Sequence, residues 1–377
     1  MLTTPPPILD AVKDFPEPAP LARTAGRPHP RRARDGSVGA SELGGAFLWP
    51  RDEPWPAYDE ARVDRFVQQI LGAGNIDGEA QIPEGTSIPF APILQPRAAD
   101  FPEMPFPDDA DLFQLLWFPY LLEVPEGMKS PDSSFDYRVS WRRTATVGAL
   151  RASGPAMVET YQGSFARPSR LDPERVVEYP NSQDLDPKLE RRIDRWKAAR
   201  KVDRDGDSPI DLDNWECSAC PSTKVGGHVF WVQEKRVPTC SRGRAMAHLL
   251  SVADAERDGG TARRRQPVED RLRGHRTDRD RIGSPPDLGN FGLFDLLACR
   301  DCDGFPTRAA TARRAATRGR GRSPSGPAGR SARPATVIRR LETPATQQPT
   351  HVESADSARG VFRRSQRAGR RRPPRRP

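Results

Sequence analysis

The sequence predicts an α+β fold, mostly antiparallel β, with two pseudo-symmetric β-rich halves in one globular unit and a disordered N-terminal leader and C-terminal tail. Three observations carry this. Residues 135–142 alternate strictly, with Phe135, Tyr137, Val139 and Trp141 set against Asp136, Arg138, Ser140 and Arg142, the period of a strand with one face buried. Only two segments follow the helical period. Three short apolar motifs from the first half of the chain recur, in the same order, in the second.

In chain order, residues 1–40 are rich in Pro and Arg with little periodicity and read as a flexible leader. In SELGGAFLWPRDEPWP (41–56), Gly44 and Gly45 precede an apolar strand that carries Trp49 and stops at Pro50. Val63, Phe66, Val67, Ile70 and Leu71 predict an amphipathic helix over 63–71. Short strands are expected around 93–95 and 112–118. A second helix is expected over 187–201, capped by Asp186, with Pro187 in its first position and Leu189, Ile193 and Trp196 on one face. Asp203, Asp205, Asp207, Asp211 and Asp213 lack the Gly and Glu spacing of a calcium-binding loop and read as a solvated turn. Residues 223–252 predict a hairpin. Val225 to Gln233 form its first strand, with Gly226 and Gly227 at the start and Trp231 within it. Pro238 and Cys240 lie in the connection, and Met246 to Val252 return.

Composition narrows the class. The 377 residues are 35% hydrophobic and include 41 prolines, so part of the chain cannot pack into a core. No apolar run approaches the length of a membrane span, and the start MLTTPPPILD lacks the pattern of a signal peptide. Five cysteines in such a chain argue for a reducing cytoplasm over a disulfide framework. The net charge of +9 is uneven: residues 306–377 hold nineteen arginines, no lysine and three acids, a charge of +16, which leaves the preceding 305 residues at −7. The tail therefore reads as a disordered, Arg-rich stretch with the composition of a shifted reading frame. Nucleic-acid binding is expected only if that tail is genuine.

The repeat sets the domain boundaries. SELGGAFLWP (41–50) aligns with TKVGGHVFWV (223–232) at an offset of 182, PFAPILQ (89–95) with AMAHLLS (245–251) at 156, and DLFQLLWF (111–118) with GLFDLLAC (292–299) at 181. Each half would hold a Gly-Gly strand, a middle strand and a Leu-rich strand, over 41–202 and 203–305.

The cysteines are the candidate chemistry. Cys217 and Cys220 form one C-x-x-C pair and Cys299 and Cys302 another, with Cys240 between them. Two thiolates at that spacing can face one tetrahedral zinc ion, and two such pairs would close a structural site. A packed repeat would bring Cys240 near Cys299 and Cys302. Unligated thiols are the alternative. Trp49, Trp55, Trp117, Trp141 and Trp231 are core candidates first and groove candidates second. His228 and His248 fall on expected strands without catalytic spacing, and Asp295 interrupts an apolar strand, by default as a residue turned to solvent and otherwise as a buried acid with a partner. No nucleophile elbow, phosphate loop or metalloprotease helix is present.

ELGGAFLWP with EPWP, PILQPRAADFPEMPFP, DLFQLLWFP, KVGGHVFWVQ, VPTC followed by RAMAHLL, and FGLFDLLACRDC together resemble the YwqG-like bacterial domain family of unknown function, in its actinomycete form, over about residues 36–305. The same motifs are remotely similar to programmed cell death protein 2, which implies a β-rich binding or chaperone-like role. Family members of this type usually carry a further cysteine two residues after the one at 240, where this chain has Arg242. The resulting expectation is a cytoplasmic binding or interaction module with a structural zinc and an unidentified protein or peptide partner. An enzyme assembled from distant residues is the alternative.

Overall fold

The protein is seen in a computed structural model. It describes residues 2–5, 11–32, 39–61, 63, 79–83, 87–119, 136–151, 154–155, 165–199, 202–204, 207–210, 218–254, 256, 267–271, 286, 288, 292–312 and 337–341. The helix expected over 63–71, apart from Val63, lies outside these residues. So do Cys217, most of the acidic loop and most of the tail.

The strands of the two main sheets run from two to seven residues. They are β1 (Arg23–Arg27), β2 (Arg31–Arg32), β3 (Glu42–Leu43), β4 (Ala91–Gln95), β5 (Leu112–Trp117), β6 (Tyr137–Arg142), β7 (Ser169–Arg170), β8 (Glu174–Glu178), β9 (Lys224–Gly226), β10 (Ala247–Ala253), β11 (Leu293–Ala298) and β12 (Thr307–Ala312). They build two six-stranded sheets. One has the order β2-β7-β3-β4-β5-β6 and is called the aromatic sheet. The other, β8-β1-β9-β10-β11-β12, is the cysteine sheet, since β11 runs into Cys299. Every neighbouring pair in both is antiparallel. The architecture is mostly antiparallel β with few helices. The longest described helix, α1 (Pro187–Ala199), starts where expected: the Asp186 carboxylate accepts the Lys188 N–H at 2.8 Å, as an N-cap should.

The cluster each side chain joins follows the two-residue period. Every residue of β5 and β11 is buried, because both faces of these strands are covered. Phe113, Leu115 and Trp117 meet Phe294, Leu296 and Ala298 in the largest core, which draws on both sheets; Trp117 and Phe294 lie edge to face at 5.5 Å. Leu116 and Phe118 point the other way into a second, aromatic cluster, and Leu297 into a cluster with the cysteines. In β6 the apolar residues Tyr137, Val139 and Trp141 pack on the main core. Its arginines cover the opposite face: Arg138 sits over Phe90 at 4.9 Å and Arg142 over Trp49 at 4.5 Å.

Several boundaries differ from the sequence reading. The flexible leader does not hold for β1 and β2, which enter the two sheets in succession. β7 and β8 make the reverse crossing, so the division at 202/203 does not separate the sheets. β12 extends the cysteine sheet past residue 305 into the expected tail. The Gly-Gly strands are short. β3 ends because Gly44 takes φ +63, and a Cβ there would lie 2.1 Å from the Ala166 carbonyl oxygen. β9 ends at Gly226 and Gly227, with φ +70 and +69, in the left-handed region that only glycine enters freely. Gly45 is hemmed in by the Glu42 carboxylate. Phe47–Trp49 and Val229–Trp231 therefore run as irregular chain, not as strand.

The two sheets share their registers. β3, β4 and β5 are third, fourth and fifth in one sheet, as β9, β10 and β11 are in the other. Glu42 and Leu43 face Gln95 and Leu94, while Lys224 and Val225 face Ser251 and Leu250. Ala91, Pro92 and Leu94 pair with Trp117, Leu116 and Leu115 across a bulge. Ala247, His248 and Leu250 pair with Ala298, Leu297 and Leu296 across a bulge at the same step. Tyr58 pairs with Ile88 and Ala57 with Pro89, and Thr239 bridges Ala245. The Phe90 N–H donates to the Pro56 carbonyl at 2.9 Å and the Met246 N–H to the Pro238 carbonyl at 3.0 Å. Position by position, Trp49, Trp55, Tyr58, Phe90 and Phe118 thus correspond to Trp231, Val237, Cys240, Met246 and Cys299.

Candidate metal centre and adjoining cleft

Two tight turns build the thiol group. After Thr239 the chain reverses: the Cys240 N–H donates to the Arg244 carbonyl and the Gly243 N–H to the Cys240 carbonyl, each at 2.9 Å, with Gly243 at φ +71. Cys299 follows β11 directly. Its N–H donates to the Pro306 carbonyl at 3.1 Å, and the Phe305 N–H returns to the Cys302 carbonyl at 3.2 Å, with Gly304 and Phe305 both at positive φ. These turns bring the Sγ atoms of Cys240, Cys299 and Cys302 within 4.8 Å of one another, and all three residues are buried. Thiolates on one zinc lie about 3.8 Å apart at a metal–sulfur distance of about 2.3 Å. A contraction of about 1 Å would bring the group to that geometry. The cluster can hold a metal ion.

The three thiols are not equivalent. Burial works to raise the Cys240 thiol, but the backbone amides of Arg244 and Arg242 and the thiols of Cys299 and Cys302 bring it down to about 7. Cys302 is pushed up to about 11 by its hydrogen bond with Cys299, by burial and by Cys240. Of these two thiols Cys240 ionises first, near neutral pH, while Cys302 keeps its proton there. Arg242 donates to the Asp301 carbonyl at 3.1 Å and Arg244 to its carboxylate at 2.7 Å, so both arginines tie the first turn to the second.

Cys220 is not part of this group, which corrects the expectation of two paired C-x-x-C motifs on one ion. Its thiol lies 2.9 Å from the Ser222 hydroxyl and its N–H donates to Glu178 at 2.9 Å. Glu178 also accepts from Lys224 Nζ at 2.7 Å, a pair whose side chains are 1% and 0% exposed. Burial opposes the Glu178 charge, but Lys224 and Arg27 hold its pKa below the usual carboxylate range. Cys220 thus belongs to a buried ion-pair network where β8, β1 and β9 meet. Cys217 lies outside the described residues.

Asp295 is the buried acid with a partner, not the solvent-facing residue of the default reading. It is buried, and it accepts a 2.6 Å hydrogen bond from the Ser251 hydroxyl; burial raises its carboxyl to about 6. The same hydroxyl oxygen lies 2.9 Å from His248 Nε2. Its single proton goes to Asp295, so Nε2–H must donate to it. Burial and the Lys224 charge take the His248 pKa down to about 3. In this order, Ser251 between histidine and carboxylate, the imidazole does not act as a base toward the serine, and the trio is a structural relay. Only Asp295, a lone acid in an apolar strand, signalled it in the sequence.

Beside the thiols lies a cleft of about 440 Å³, lined by Val229, Trp231, Val237, Met246 and Leu297, with Arg23 also contributing. Those five residues also pack against the cysteines. The Trp231 indole donates to both oxygens of Asp184, at 3.1 and 3.3 Å. Of the other tryptophans, Trp49 and Trp117 are core residues, while Trp55 and Trp141 are half-buried against core clusters. Among the described residues no helix is long and apolar enough to cross a membrane. No family model matches the chain, and no curated protein matches it either.

Proposed function

We propose that the chain is a binding or interaction module whose cysteine sheet is stapled by a structural zinc held by Cys240, Cys299 and Cys302. One observation carries the reading: the thiols stand where the aromatic sheet closes the same corner with a ring stack. Cys240 and Cys299 correspond to Tyr58 and Phe118, whose rings stack at 4.1 Å. A connection pinned to the sheet by an aromatic pair in one place would be pinned by a metal in the other. An all-thiolate donor set suits zinc. With Arg242 at the position of the family's further cysteine, the fourth ligand would be a water or another small donor. Binding must displace the thiol protons that remain, that of Cys302 among them, so affinity should rise with pH.

The matched registers support two copies of one six-stranded unit, each lending its first strand (β1 or β7) to the other copy's sheet. The remote likeness to programmed cell death protein 2 is consistent with a binding role, in a reducing compartment that keeps the thiols free. Zinc analysis of the purified full chain tests the staple. Near one zinc per chain, with three thiols protected from an alkylating reagent until chelator is added, is the expected result. Under ~0.2 zinc after reconstitution, with all thiols reactive, would sink it, because a structural site binds tightly.

A further inference from the structure

The corner that the thiols occupy differs from its counterpart in a second way. In the aromatic sheet, the Trp55 ring packs on Trp49 with centroids 4.8 Å apart, and its indole N–H donates to the Phe90 carbonyl at 2.8 Å. The residue in the place of Trp55 is Val237. The backbone around it is kept: the Pro238 carbonyl accepts from Met246 as Pro56 does from Phe90. The side chain is several atoms smaller, and the space is not refilled. Val229, Trp231, Met246 and Leu297, the counterparts of Phe47, Trp49, Phe90 and Leu116, all line the cleft of about 440 Å³. In the aromatic sheet those counterparts form one closed cluster with Trp55 packed against it.

We propose that this cleft is a binding site for a small planar aromatic molecule with a ring N–H donor, of the indole class. The ring would lie on Trp231, as Trp55 lies on Trp49, and its donor would reach the Met246 carbonyl. The surroundings suit such a ligand. The walls set the apolar side chains of Val229, Trp231, Val237, Met246 and Leu297 beside a few polar groups, those of Asp184, His228 and His248, and Trp231 is held in place by Asp184. The volume falls within the range of roughly 300–1,000 Å³ common to small-molecule sites. Arg23 at the edge makes no hydrogen bond or ion pair with another described side chain, so a carboxylate on the ligand would find a cation there. The proposal rests on the reading of the chain as a binding module but needs no metal.

The test is calorimetric titration of the full chain with free indole and with indole-3-acetate, beside a tripeptide carrying tryptophan between blocked glycines. Val237→Trp should refill the space from within and weaken indole binding by at least about tenfold while leaving zinc content and circular dichroism unchanged. Trp231→Leu should weaken it by roughly three- to tenfold, the scale of one lost aromatic contact. Indole-3-acetate should bind more tightly than indole. No heat with either free molecule up to millimolar concentration overturns the site, as does equal binding by Val237→Trp. Binding of the peptide alone overturns the small-molecule assignment. Indole binding by protein that takes up under ~0.2 zinc on reconstitution would remove the staple and leave the cleft standing.

Discussion

The two sheets close equivalent corners with different chemistry. In one, Tyr58 stacks on Phe118 beneath Phe90, and Trp55 fills the space beside Trp49. In the other, Cys240, Cys299 and Cys302 converge, Met246 replaces the phenylalanine, and Val237 leaves a cleft. An aromatic stack is complete once folded, because dispersion and burial need no further component. A thiol cluster is conditional, since its contribution depends on protons and on an ion. The contrast also applies inside the sheets. Gln114 and Gln95 bond to each other at 2.7 Å and secure the Leu48 backbone through the Gln95 carbonyl and the Gln114 amide, each at 2.9 Å. Their counterparts, Asp295 and Ser251, form a relay that titrates.

The comparison can be broken, most severely, at the aromatic corner. Phe118→Ala should cost about 3–5 kcal/mol, the usual range for a buried phenylalanine, and the loss should be the same with zinc or with chelator in a denaturant titration. A loss that varies with metal would mean the corners are not independent. The metal corner should give a smaller, conditional effect: free zinc at about 100 times its Kd should add about 3 kcal/mol, and Cys302→Ser should abolish the increment. An increment that survives this change would place the ion elsewhere.

Asp295 sharpens the contrast through pH. Its carboxyl has a pKa of about 6 when folded against 3.8 ordinarily. Between those values the folded state holds the extra proton, so this residue adds stability as pH falls from about 6 to about 4 and weakens the fold above 6. The difference is on the order of 1–3 kcal/mol and should vanish in Asp295→Asn. Unchanged pH dependence in that variant would assign the slope to other acids. Glu42, which burial raises to about 7, is the first to examine. The smallest effect concerns the glycines. Gly226→Ala should cost at least about 1–2 kcal/mol for its left-handed backbone, with a smaller steric addition, since its nearest neighbours, Glu103 Cβ and the Glu103 and Thr24 carbonyl oxygens, lie at 3.1–3.3 Å. Gly44→Ala should cost more, because the obstructing atom is the Ala166 backbone. Equal costs in thermal melts would count against that steric argument.

Local patterns that act through neighbouring residues were legible in the sequence. The helix at 187–199 followed from Asp186, Pro187 and the spacing of Leu189, Ile193 and Trp196. β5, β6 and β11 followed from apolar runs and alternation. The convergence of Cys240 with Cys299 and Cys302 was legible only through the repeated motifs, and Cys220 was wrongly grouped with them. A C-x-x-C spacing says that two thiols could share an ion, not which fold element carries them. β1 and β2 were read as leader because their arginines show no apolar period. They are strands because the backbone of each pairs with a neighbour supplied from more than a hundred residues away.

By itself, the sequence determined where several strands and the 187–199 helix could form, and which short motifs resemble one another. Those are properties of short stretches, set by sterics and side-chain period. Tertiary structure alone decided that the chain changes sheet between β1 and β2 and again between β7 and β8, that Asp295 is buried beside Ser251, and that a cleft lies beside Val237. Each of these depends on which distant surface a residue meets, and a residue's type does not encode its neighbour.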